Sequence, residues 1–437
     1  MSNFNSDSLD AWLSWLETLH PKTIELGLDR IRIVADKLDL FSKLQQSQIK
    51  IITVAGTNGK GTCVAALQAF LLKANKSVGA YTSPHLLRYN ERVQINGRDV
   101  SNEKLVEAFK RIEAVRGNVS LSYFEYGTLA TFLLFLAAKL DFWILEVGLG
   151  GRLDAVNLLD ADIAIVTSID LDHQDWLGDD REKIGFEKAG VYRSSRPAIC
   201  VDPHPPTSLL EYSAHINADL LMVNRDIAWR IHNDSWQWQG RDGAHNKIVR
   251  GSIPLTHLPL PSISAALQTL VLLDIYLSDT QVRKLIADLQ LPGRCQKIQR
   301  DGRQLILDVA HNPAAVKYLA KQLDHLAPEK ANTVAVFAVM ADKDIQSMVE
   351  SISDQFSSWY IAGLPIISRA ASSASLAAIL TEQSLSHQLC ATVPEAIEQA
   401  IVNTQPGDRI VVFGSFYTVA EGLQWLNIPQ NAEVNDG

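Results

Sequence analysis

Residues 54–62 read Val-Ala-Gly-Thr-Asn-Gly-Lys-Gly-Thr, between the apolar pair Ile51-Ile52 and a stretch of helical pattern. A strand, a glycine-rich loop and a helix in that order restrict the chain to α/β architectures whose parallel strands end at a ligand. Glycines let the backbone approach an anion, successive N–H groups point at it, and the next helix adds the positive end of its dipole. Gly56, Thr57, Asn58, Gly59, Lys60, Gly61 and Thr62 therefore form a candidate phosphate cradle. Lys60 would reach the terminal phosphates and the Thr62 hydroxyl would lie near a magnesium ion. The loop departs from G-x-x-x-x-G-K-[ST]: it is shorter ahead of Lys60, and Gly61 separates the lysine from Thr62. The plainer alternative is a glycine-rich turn with no ligand.

A chain of 437 residues exceeds one ordinary core, so two or three domains are expected. With 47% hydrophobic and 20% charged residues it has the composition of a soluble globular protein. A net charge of −9 offers no basic excess to neutralise phosphates, which argues against nucleic acid as the main partner. Cys63, Cys200, Cys295 and Cys390 are far apart without metal spacing, as in a reduced, cytoplasmic protein. The first residues lack the basic start and apolar core of a signal peptide, and residues 129–140 are too few to span a bilayer. A cytoplasmic protein, free of membrane, is the expectation.

Leu9, Trp12, Leu13 and Leu16 recur at helical spacing, so the chain opens with an amphipathic helix. The pattern predicts helices over 63–73 and 123–140 and a strand over 77–81. A hairpin is predicted at Asn96-Gly97, between residues 93–95 and 99–100. Residues 142–147 and 163–167 are apolar and β-branched, as in strands buried on both faces of a parallel sheet. Alternation continues with a strand over 197–201 and helices over 207–215, 264–276 and 279–289. Leu291-Pro292-Gly293-Arg294 reads as a hinge. Strands over 305–309, 334–339 and 409–413 then alternate with helices over 314–326, 345–352 and 417–426. This predicts a P-loop domain over 1–290, its mostly parallel sheet flanked by helices, and a smaller Rossmann-like α/β domain over 291–437. The tail after Asn427 reads as polar and frayed.

Two strand ends carry acids. Glu146 closes the first of them, ahead of Val147-Gly148-Leu149-Gly150-Gly151, where a carboxylate would bind magnesium or cap a turn. The second runs into Asp170-Leu171-Asp172-His173-Gln174-Asp175, where His173 is a metal ligand, a base or a solvated loop residue. Ser83, in Thr82-Ser83-Pro84-His85, would offer an oxygen to a metal, while Pro84 and His85 read as structural. Lys188, on a short helix, would ordinarily be a surface lysine. Asp308-Val309-Ala310-His311-Asn312-Pro313 and Met340-Ala341-Asp342-Lys343-Asp344 each follow a strand of the second domain, and alone each is a weak signal.

Taken together, the phosphate loop, Thr82-Ser83-Pro84-His85-Leu86, Leu145 to Ala155, Glu187-Lys188-Ala189-Gly190, Leu291 to Arg294, Asp308 to Pro313 and Asp342-Lys343-Asp344 closely resemble folylpolyglutamate synthases. Leu121 to Thr128 and Lys22-Thr23-Ile24-Glu25-Leu26-Gly27 are similar to the bifunctional dihydrofolate synthase members of that family, which belongs with the Mur-type ATP-dependent amide ligases. The resemblance implies that Thr57 to Lys60 hold ATP phosphates and that Ser83, Glu146 and His173 coordinate magnesium. It also implies a carbamate on Lys188 as ligand to a second magnesium, with Lys60, His173 and Lys188 as catalytic groups. Glu25, Leu26, Gly27, Ser122, Tyr123, Phe124, Glu125, Leu153, Asp154 and Ala155 would line a pterin pocket. Arg294, Asp308 and His311 would reach ATP. Ser262 stands where the family carries Asn just before an Ala-rich helix, and a hydroxyl makes fewer hydrogen bonds to adenine than an amide.

The activity this implies is ATP-dependent addition of L-glutamate to dihydropteroate and of further glutamates to reduced folates, by a monomer, through an acyl phosphate. A Mur-type ligase for another acid such as a peptidoglycan precursor, a P-loop kinase or GTPase, and a non-catalytic ATP-binding module are the alternatives.

Overall fold

The computed structural model describes residues 4–21, 25–326 and 332–426. Lys22, Thr23, Ile24 and the tail from Asn427 lie outside them. The chain divides into two compact units, Met1–Leu289 and Gln290–Gly437.

The first unit is built on β1 (Lys50–Ala55), β2 (Val78–Tyr81), β3 (Val93–Ile95), β4 (Arg98–Asp99), β5 (Phe142–Glu146), β6 (Ile163–Val166), β7 (Pro197–Cys200) and β8 (Asp219–Met222). Their order is β4-β3-β2-β5-β1-β6-β7-β8, parallel throughout except the β3 and β4 edge. β1 sits between β5 and β6, and its residues 51–55 are all buried, as a strand covered on both faces requires. The helix Lys60–Lys73 follows β1 at once and packs beside it. Leu9–Leu19 is capped by Ser8, whose hydroxyl accepts from the Ala11 N–H, and buries Leu9, Trp12 and Leu16 on one stripe.

Three sequence expectations shift. The helix expected over 123–140 is Tyr123–Ala138, because Lys139 turns left-handed at φ 52° and Asp141 bonds Ser77 instead. The one expected over 264–276 is Leu260–Leu272: Pro261 is tolerated in a first turn, and Asp274 at φ 53° stops it. Ser262 therefore lies inside the first helical turn rather than ahead of the helix. Between the two, strand–helix alternation gives way to a three-stranded antiparallel sheet of β9 (Ala228–His232), β10 (Ser235–Arg241) and β11 (Lys247–Pro254). Trp236 and Trp238 point inward on β10 while Gln237 stays exposed, and Asn233 makes the β9–β10 turn at φ 49°.

In the second unit β12 (Gln296–Arg300), β13 (Arg303–Asp308), β14 (Thr333–Phe337), β15 (Ser358–Ala362), β16 (His387–Cys390) and β17 (Arg409–Phe413) form one sheet. The order is β12-β13-β17-β14-β15-β16, with only β12 antiparallel. Phe337, Phe356, Trp359 and Phe413 pack ring to ring in its core. The mostly parallel sheets flanked by helices are the fold class that the sequence predicts.

Candidate active site

The loop after β1 is held from the side by the segment after β6. Thr57 N–H donates to Ser168 O at 2.8 Å, Asn58 N–H to Ser168 Oγ at 2.9 Å, and Thr167 Oγ1 to Asn58 O at 2.7 Å. The Thr57 hydroxyl donates to Asp170 O and accepts from the Asp170 N–H. Gly59 caps the helix at φ 84°, and a Cβ there would stand 2.3 Å from Ser262 Oγ; one on Gly56 would meet Thr167 Oγ1 at 2.0 Å. Only glycine fits either place. Lys60 Nζ folds over this loop, donating to Gly56 O at 2.9 Å and Thr57 O at 3.2 Å.

At the helix start, Glu146 and Ser83, both named from sequence, come together. Glu146, at the end of β5, is buried; its Oε2 accepts from the Ser83 N–H at 3.3 Å and lies 4.0 Å from where a Cβ on Gly61 would be. The Thr62 hydroxyl is buried and has no hydrogen-bond partner among the described residues. His173 takes a left-handed backbone at φ 53°, and its N–H donates to Asp172 Oδ1. Among the described residues no three His, Cys, Asp or Glu side chains cluster as a ready metal site.

Lys188 is not the surface lysine its short helix suggests. It is only 3% exposed in the helix Arg181–Ala189. Burial, and then the Lys60 charge, push its ammonium down to about 7, with Asp172 and Asp154 opposing. A neutral amine is thus available near neutral pH. Asp154 is pushed up to about 6 by burial, although its carboxylate accepts from the Leu149 and Val156 N–H groups. Phe124 lies so close to Gly148 that a Cβ there would be 2.6 Å from the ring, and it stacks on Tyr81. Gly27 N–H donates to Leu153 O at 3.2 Å, joining the segments of Leu26 and Ala155.

Arg294, Asp308 and His311 are carried by the second unit. Asp308 accepts from the Cys295 N–H at 2.7 Å and the Ala310 N–H at 2.8 Å, and burial raises its carboxyl while Arg294 lowers it. His311 Nδ1 faces Val309 O at 2.8 Å, so that nitrogen carries the proton. Phe416 lies under both, 5.2 Å from the Arg294 guanidinium and 5.9 Å from the His311 ring. Asp344 serves as a helix cap rather than a site group. Thr167, Ser168 and Phe416 were not found from sequence. The hydroxyl pair at the end of β6 was the one available signal.

A phosphate loop on a parallel sheet, a buried lysine and strand-end carboxylate beside it, and a second α/β unit define the class of Mur-type ligases. The family model described as Mur ligase, glutamate ligase domain, matches residues 293–416. The dihydrofolate synthase/folylpolyglutamate synthase of Escherichia coli (strain K12) is 40% identical over 423 residues, covering 96% of each chain. The solved structure of E. coli FolC in complex with DHPP and ADP superposes with a TM-score of 0.89 at 39% identity, covering 97% of this chain and 98% of that one. A bifunctional folylpolyglutamate synthase/dihydrofolate synthase with Mn, AMPPNP and L-glutamate bound gives 0.88 at 41% identity, covering 98% and 100%. The chain belongs to the dihydrofolate synthase/folylpolyglutamate synthase family.

Proposed function

We propose that this protein joins L-glutamate to dihydropteroate, giving dihydrofolate, and adds further glutamates to reduced folates, using ATP. The observation that carries it is the meeting of Lys60, Glu146 and the buried Lys188 at the phosphate loop. Joining a carboxylate to an amine is uphill, so the acid must be activated. A carboxylate oxygen of the acceptor attacks the γ-phosphorus and ADP leaves. The glutamate amine then attacks the acyl carbon, loses a proton and expels phosphate. Lys60 and the loop N–H groups steady the charge on the phosphoryl oxygens, and no protein nucleophile is required.

The residues fit a divalent cation. Thr62 offers a buried hydroxyl with no other partner among the described residues, Glu146 a carboxylate, and Ser83 and His173 an oxygen and a nitrogen. Magnesium held there would neutralise phosphoryl charge. The neutral amine of Lys188 can add carbon dioxide and lose a proton, turning a cation into a carboxylate-like ligand for a second ion. Gly56, Thr57, Asn58, Gly59 and Gly61 hold the phosphates, while Ser262, Arg294, Asp308 and His311 serve the rest of the nucleotide. Glu25, Leu26, Gly27, Ser122 to Glu125, and Leu153 to Ala155 line the acceptor's pterin pocket. Residues 1–290 and 291–437 are the two domains of a monomer working in the cytoplasm; no helix among the described residues is long and apolar enough to cross a membrane.

Glutamate incorporation is measured with dihydropteroate and, separately, with a reduced folate, and the products are sized by mass. Incorporation with both acceptors is expected. Incorporation with one alone refutes bifunctionality, and with neither refutes the ligase reading.

A further inference from the structure

We propose that His20 and Arg30, assigned no part above, are positioning residues for the acceptor acid. They lock the segment of Glu25 to Gly27 against the start of the helix Tyr123–Ala138. The inference rests on the pocket assignment just given.

Arg30 spans two walls. One Nη donates to the Glu25 backbone O at 2.9 Å and to Glu125 Oε1 at 3.2 Å, while the other lies 3.2 Å from Glu25 Oε2. A planar fork can hold a carbonyl and two carboxylates at once; a lysine ammonium on its flexible stem cannot match that geometry. His20 approaches from the other side. Its Nε2 is 2.6 Å from Glu25 Oε2 and its Nδ1 2.8 Å from Ser120 Oγ. The ring therefore ties Glu25 to the residues just ahead of the Ser122 cap. The His20 and Glu125 side chains are 6% and 4% exposed, while Arg30 and Glu25 keep 25% and 31% open to water, so the lock has a dry inner side and a partly solvated outer one.

Glu125 transmits the lock. Its second oxygen, Oε2, accepts from the Ser122 N–H at 2.7 Å, closing the capping box of the helix. That first turn carries Tyr123 and Phe124, and Phe124 packs on Gly148, two residues beyond Glu146. On the far side Gly27 is bonded to Leu153. Releasing Arg30 or His20 thus loosens three walls of one pocket together. The phosphate loop keeps its own, separate anchors at Thr167, Ser168 and Asp170. The effect should fall on the acceptor and spare ATP.

The test is steady-state kinetics of Arg30→Met, Arg30→Lys and His20→Gln, with dihydropteroate, ATP and glutamate varied in turn. KM for dihydropteroate should rise at least tenfold in both Arg30 variants and severalfold in His20→Gln. KM for ATP and kcat at saturating acceptor should stay within about twofold. An unchanged dihydropteroate KM, or equal losses for all three substrates together with a lowered Tm, overturns the proposal. Should Arg30→Met fail to fold, Arg30→Lys and His20→Gln decide the matter by the same split. Wild-type protein that releases no phosphate with dihydropteroate overturns the functional reading and this inference with it; active wild type with unaltered variants overturns this inference alone.

Discussion

At the residue scale, burial changes the chemistry that two side chains can perform. Lys188 loses solvent and faces Lys60, so its amine is uncharged in a pH range where a surface lysine is fully protonated. Lys188→Ala should keep the fold, since few groups depend on it, yet lower turnover about 100-fold or more, the scale of losing one charge-stabilising group. Near-normal activity in a variant that melts like wild type would sink the carbamate role. Asp154 shows the opposite sign. Its folded value of about 6 lies above the ordinary 3.8, so the folded protein binds the extra proton. The cost of ionising it is full above pH 6 and vanishes as pH falls below 3.8. Relative to Asp154→Asn, the wild type should therefore lose stability as pH rises from about 4 to 6, by about 3 kcal/mol in total. Parallel denaturation midpoints for the two proteins across that window would show that Asp154 is not buried as described.

At the element scale, the phosphate loop is defined as much by what surrounds it as by its own sequence. Gly59→Ala meets two obstacles: the left-handed backbone at φ 84°, costing a residue with Cβ about 1–2 kcal/mol, and the Ser262 hydroxyl. We expect a denaturation midpoint lowered accordingly and kcat/KM for ATP reduced at least tenfold. Adding Ser262→Ala should recover part of the loss and leave the backbone strain. Full recovery would show that crowding alone fixes the glycine. The loop was legible because strand, glycines and helix are all local signals, and β1, β5 and β6 were legible because strands buried on both faces are written as unbroken apolar runs. Strands β9 to β11 were not, since exposed Arg230, His232 and Gln237 dilute the pattern around the buried tryptophans. Strand β16 escaped because only its Cys390 is buried and no apolar run marks it, and β15 went unread although Gly363 and Pro365 follow it. Lys188 illustrates a deeper limit: helical periodicity tells which face a residue occupies, and only tertiary packing decides whether that face meets water. Ser262 was expected ahead of its helix because the family resemblance sets it just before an Ala-rich helix, whereas the first turn accepts Pro261 and the helix already starts at Leu260.

At the scale of the whole molecule, each unit has its own sheet and its own apolar core. The first should therefore fold when made alone. A fragment of residues 1–289 is expected to melt cooperatively and to catalyse no glutamate addition, since Arg294, Asp308 and His311 are missing. A broad, non-cooperative melt followed by circular dichroism would refute its independence, and ligase activity in the fragment would remove those three residues from the mechanism. The order of strands in that unit has a further consequence, for the chain as it is made. β1 is complete at Ala55, yet its two neighbours are β5, ending at Glu146, and β6, ending at Val166. At ribosomal speeds of about 5–20 residues per second, the central strand waits about 5–20 s before both of its partners exist. During that interval an apolar strand with two open edges stands in the crowded cell, a natural client for whatever holds nascent chains apart.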